Sequence, residues 1–201
     1  MATHSNALSE LTRLWLEQRH GCSLREEVPV GVDRGSSDID FAAIRADGET
    51  IQLPGAIEVG PRIIVEAKDE HDYDPSGEDF GRRFLKDIER MGEDQYIPAH
   101  ARCVKFSMLR EEHFRVALDL FGGEVFDRLF VFHGIDTTAF QDRIPGLREQ
   151  RRIHLVVVKD LLRDLVEWYG GLDHPARLRN SLTGDLLHLL FGFCGVRLPE
   201  G

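Results

Sequence analysis

Ser37-Asp38-Ile39-Asp40-Phe41-Ala42-Ala43-Ile44 and Ile63-Ile64-Val65-Glu66-Ala67-Lys68 are the two stretches that decide how this chain folds. Each is a short apolar run with acidic groups at its edge, which suits a buried strand that carries polar groups to a sheet margin. Side chains alternate across a strand, so Glu66 and Lys68 share one face while Val65 and Ala67 take the other. If the two strands pair as neighbours, Asp40 approaches Glu66, and two carboxylates and an ammonium converge on one spot. Like charges held together in this way call for a cation between them. A hard divalent metal fits, with the lysine placed to orient a water or steady developing negative charge.

Working outward, an apolar stripe of Leu8, Leu11, Leu14, Trp15 and Leu16 predicts a first helix that Gly21 terminates. Leu24 to Val32 alternates through Val28, Val30 and Val32, as a strand leaving that helix would. Asp33 to Ser37 is turn chemistry. Between the two decisive strands, Asp47-Gly48 signals a hairpin, with another strand around Thr50 to Leu53. Further on, the pattern predicts a helix over Glu78 to Met91, a strand over Cys103 to Leu109 and a helix over Glu111 to Phe121. Strands follow at Leu129 to His133 and Ile153 to Val158, then a helix over Lys159 to Tyr169. A last helix, capped by Asn180 or Ser181, carries Leu182, Leu186, Leu189, Leu190 and Phe193. The expected fold is one α/β domain over 1–201.

This order of elements resembles the PD-(D/E)xK nuclease superfamily, the fold shared by many restriction endonucleases and Holliday-junction resolvases. The resemblance rests on Asp40-Phe41-Ala42-Ala43-Ile44, on Val65-Glu66-Ala67-Lys68, and on Glu10 in the first helix, with Glu17 as a weaker stand-in. It covers roughly 8–109 as a nuclease-like core; 110–201 would add further α/β elements and the C-terminal helix. It implies a restriction endonuclease-like three-layer sandwich, with a central mixed β-sheet flanked by helices. The 26 positions between Asp40 and Glu66 exceed the usual spacing, so a hairpin is inserted there.

The resemblance also implies an activity: metal-dependent hydrolysis of DNA phosphodiester bonds, of restriction or repair type. Asp40, Glu66 and the backbone carbonyl of Ala67 would hold Mg2+, with Mn2+ as a substitute. Lys68 would act on the attacking water, and Glu10 would hold a second metal or anchor Lys68. All three of Asp40, Glu66 and Lys68 are expected to face solvent, so alanine at each should leave the fold intact. The substrate would be duplex or branched DNA. A homodimer is expected where both strands are cut, with the final helix serving as its interface or as core.

Charge argues against a protein that lives on phosphate contacts alone. The formal net charge is −10, from 35 acidic and 25 basic residues, although Arg82, Arg83, Lys86 and Arg90 cluster at helical spacing. Weak affinity without metal is the expectation. A nuclease-fold binding or regulatory module without activity, or an acidic subunit with a basic partner, are the rival readings. Asp69, Glu70, His71, Asp72 and Asp74 read as a solvated loop, and His113, His133 and His154 as structural histidines. The cysteines Cys22, Cys103 and Cys194 form no CxxC pair, which suits a reducing, cytoplasmic setting. No apolar run is long enough to span a membrane.

Overall fold

The computed structural model describes residues 7–32, 35–68, 78–170 and 182–193. Seven strands occur among them: β1 (Cys22–Val32), β2 (Gly35–Arg45), β3 (Ile51–Leu53), β4 (Ile57–Val59), β5 (Arg62–Lys68), β6 (Asp127–Phe132) and β7 (Ile153–Val157). Six α-helices accompany them: α1 (Ala7–Leu14), α2 (Glu78–Met91), α3 (Glu111–Leu120), α4 (Ile144–Arg151), α5 (Val158–Gly170) and α6 (Leu182–Leu187). Five strands form one mixed sheet in the order β1-β2-β5-β6-β7. β1, β2 and β5 run antiparallel in sequence, while β6 and β7 lie parallel to β5. β3 and β4 pair as a separate hairpin inserted between β2 and β5. The sheet therefore continues across position 110, which the sequence places at the edge of the core.

Both faces of the sheet are covered. Phe80, Phe84 and Ile88 of α2, Ala117 of α3 and Leu147 of α4 pack with Ile64, Phe130 and Phe132 on one face. Leu8 and Leu14 of α1 and Leu161 and Leu165 of α5 pack on the other, against Val65, Leu129 and Val131, with Ile51 and Val59 of the hairpin. β5 is the central strand, buried on both faces, which explains why its sequence is a continuous apolar run and not an alternating one. Its only polar internal residue is Glu66, 3% exposed. Burying such a carboxylate is costly unless it is fully hydrogen-bonded.

α2 lies so close to the segment after β6 that a side chain does not fit between them. A Cβ on Gly81 would overlap the backbone carbonyl of Asp136. Backbone cannot retreat as a flexible side chain does, so Gly81→Ala should cost about 1–3 kcal/mol. A lowered urea midpoint with an unchanged slope is the expected result.

Two elements differ from the sequence reading for identifiable reasons. Cys103 to Leu109 is not a strand: it is irregular and ends in one 3-10 turn, Ser107–Leu109. The backbone N–H groups of Lys105 and Phe106 donate to the Asp87 carboxylate, and those of Ser107 and Met108 to Glu66. Side chains thus take the donors that a neighbouring strand would have taken. The C-terminal stripe is the second case, because Leu187 is buried whereas Leu186, Leu189 and Leu190 are exposed. Within α6, before the π-helical turn His188–Phe193 begins, the helix presents Leu187, which the stripe omits, to the core in place of Leu186. Asn180, Ser181, Cys194 and the acidic loop from Asp69 to Asp74 lie outside the described residues.

Candidate active site

The site begins where β2 leaves β5. Their pairing runs from Ile44↔Arg62 to Phe41↔Val65 and stops there, at Asp40. Residues two apart on a strand normally share a face. Phe41 nevertheless packs with the α1 side of the sheet, whereas Ile39 packs with the α2 side. The pleat is broken at Asp40. Opposite it on β1, Glu27 adopts φ +49, a left-handed conformation uncommon outside glycine. Beyond this break, Val28 and Val30 of β1 and Ile39 of β2 all pack on the α2 side.

That break frees the Asp40 side chain to turn toward β5. Its Oδ2 accepts a hydrogen bond from the Ala67 N–H at 2.7 Å, replacing the ladder that has ended. Burial, and then the neighbouring Glu66 charge, push the Asp40 carboxyl up to about 6; the Ala67 N–H and Lys68 pull the other way. Asp40 and Glu66 are therefore brought together, as the pattern of the two stretches implied. A carboxylate held against both burial and a like charge is the arrangement that favours cation binding.

Glu66 is held from several sides. Its Oε1 accepts from the Ser107 hydroxyl at 2.7 Å and the Ser107 N–H at 3.2 Å, and pairs with Lys68 Nζ at 2.6 Å. Its Oε2 accepts from the Met108 N–H at 3.1 Å. The solvent-facing position expected from sequence is corrected for this residue, because the 103–109 segment closes over it. An alanine at Glu66 would leave several donors orphaned and would not be neutral to the fold. Lys68, by contrast, keeps a side chain 24% exposed.

Sequence reading missed the 103–109 segment as a wall of the site, because its apolar alternation hides its role. Ser107 lies 41 positions from Glu66, and no spacing signals the contact. The segment is itself pinned by Asp87, 2% exposed, which accepts from Lys105 and Phe106 and pairs with Arg90 at 3.2 Å. Asp87→Ala should cost about 3 kcal/mol, from two buried N–H groups left without acceptors. It should also loosen the hold on Glu66, so any activity of the site should fall more than that of Gly81→Ala at matched stability.

Glu10, on α1, forms an ion pair with its helix neighbour Arg13 at 2.7 Å. Glu17, whose carboxyl is raised by burial, also senses Arg13, Glu26 and Glu10. Of the basic cluster on α2, Arg82 and Arg83 pair with Asp79 and Arg90 with Asp87. Gln95 bonds to Arg128 and to the Gln150 carbonyl, and Tyr96 packs on Phe114, so neither reaches the site. His154 pairs with the buried Asp127 at 2.8 Å, in line with a structural histidine.

Whether a metal fits can be judged from open lone pairs. A carboxylate offers about four acceptor positions. Glu66 has one left on Oε2, and Asp40 has Oδ1 and half of Oδ2. Among the described residues no three His, Cys, Asp or Glu side chains form a ready metal cage. Two carboxylates suffice for Mg2+, which keeps most of its waters and is commonly held by one or two acidic side chains. Among the described residues, no helix is long and apolar enough to cross a membrane. No family model, curated protein or solved structure matches the chain, so its chemistry rests on this geometry alone.

Proposed function

We propose that the chain is a metal-dependent DNA endonuclease of the PD-(D/E)xK type, with a restriction endonuclease-like fold. The observation that carries this reading is the convergence of Asp40, Glu66 and Lys68 at the point where β2 leaves β5. A core without a task has no reason to hold a carboxylate whose charged form is opposed by burial and by a second carboxylate. Asp40 and Glu66, with the Ala67 carbonyl, would hold Mg2+ or Mn2+, which supplies Lewis-acid polarisation of the phosphate and a lower water pKa.

The remaining work belongs to the chain's own groups. Lys68 is fixed by Glu66 at the rim, where its ammonium can orient a water and offset the charge that grows on the phosphoryl oxygens. Ser107 and Met108 fix Glu66, so that Lys68 and Asp40 keep their relative positions. In the reaction the water oxygen bonds to phosphorus, the ester P–O bond breaks, and the departing oxygen ends with a proton.

One observation favours the second reading, a binding module without chemistry: donors already occupy most of the Glu66 lone pairs. End-labelled duplex and four-way-junction DNA, incubated with the chain in Mg2+ and in Mn2+, separates the two. Strand cleavage of either substrate supports the nuclease. DNA that is retained but left intact under both metals supports the binding module.

A further inference from the structure

Beside the Asp40–Glu66 pair lies a cleft of about 590 Å3, within the range of roughly 300–1,000 Å3 usual for ligand sites. It runs between the segment 99–107, the start of α3 and Ser37 of β2. Ser107 lines it, and the same residue holds Glu66, so the cleft opens directly beside the candidate centre.

Ser37, His113 and Arg102 set its chemistry. Ser37 Oγ lies 3.0 Å from Nε2 of His113, which is fully buried. Nδ1 of that ring is buried without a partner. Were Nδ1 protonated, a buried N–H would be orphaned, which is rarer than a bare lone pair. The proton therefore sits on Nε2 and donates to Ser37 Oγ, leaving the serine hydroxyl hydrogen to donate elsewhere. Burial holds the His113 ring toward its neutral form. Arg110 is neutralised by Glu112 at 3.1 Å. Arg102 is exposed in the same cleft and has neither ion pair nor hydrogen bond among the described residues, so its charge is the uncompensated one.

We propose that this cleft seats a phosphate of a nucleic-acid strand next to the one being cut, gripped by the Arg102 guanidinium and the Ser37 hydroxyl. This rests on the nuclease reading for its choice of ligand. A planar guanidinium and a hydroxyl donor suit phosphate oxygens. A strand entering here passes Ser107 on its way to Asp40 and Lys68. One uncompensated cation gives a local attraction that the chain's acidic total hides.

Cys103 lines the same cleft, is exposed and carries a free thiol, so it reports occupancy. Cys22 is buried and its thiol is pushed up to about 11, which keeps it from competing. The test is the rate of Cys103 alkylation, read by peptide mass, in EDTA with a short oligothymidylate, with thymidine monophosphate or with inorganic phosphate. Working in EDTA without reading cleavage keeps the result separate from whether the centre is active. The oligonucleotide should slow alkylation about tenfold at concentrations where the small phosphates do nothing. Arg102→Ala, with a parental thermal midpoint, should weaken that protection about tenfold, and Ser37→Ala should do the same at a lowered midpoint, since it leaves the buried His113 N–H without its acceptor. Equal protection by inorganic phosphate overturns the strand assignment, and unchanged alkylation with the oligonucleotide overturns the site.

Discussion

Asp40→Asn should make the folded chain more stable above pH 6, by on the order of 2 kcal/mol, while ending cleavage. Folding lifts the Asp40 carboxyl from its ordinary value of about 3.8 to about 6, through burial and the Glu66 charge. A raised carboxyl pKa means that the charged form is penalised in the native state. Stability linked to this group is present in full below pH 3.8 and is lost as the pH rises through about 6. Asparagine removes the charge and keeps an acceptor for the Ala67 N–H. Its advantage should be full above pH 6, shrink from 6 to 4 and vanish below. Thermal midpoints of parent and variant across this range test it. His20, whose ring burial holds down to about 4, makes both proteins more acid-sensitive and cancels in the difference. Equal midpoints at pH 8 would mean that Asp40 is not held at a cost.

Lys68→Ala should reduce cleavage about 100- to 1,000-fold with little change in stability. Its side chain is partly exposed, and its ammonium is the cation that Glu66 fixes at the rim. The partner variant is Glu66→Gln, which keeps the shape and one acceptor oxygen, enough for the Ser107 donors or the Met108 N–H but not for both. It should lose activity to the same degree. Glu10→Ala removes the ion pair to Arg13 and shows, by its rate beside that of Lys68→Ala, whether the first helix contributes to the same reaction. A parental rate in Lys68→Ala would remove the proposed role of the ammonium.

The strands of the sheet were legible because burial leaves a direct mark on them: Ile63 to Val65 is apolar throughout, and Glu66 stands out as the exception. The helix over Glu78–Met91 was equally plain from Phe80, Phe84, Ile88 and Met91. The meeting of Asp40 with Glu66 followed from adjacency of the two stretches. What local patterns could not carry were contacts set by long-range closure. Ser107 on Glu66 and Asp87 on the 105–106 amides both fix the 103–109 segment, whose own sequence suggests a strand. The break at Asp40 was hidden too, because Glu27 takes a left-handed conformation that its residue type does not announce.

Supercoiled plasmid incubated with the parent chain and with Glu66→Gln, in Mg2+, Mn2+ and EDTA, tests the centre most directly. Nicked and linear products that need metal and disappear in the variant are the predicted result. Cleavage by Glu66→Gln at the parental rate, or an intact plasmid with the parent under both metals, would contradict it.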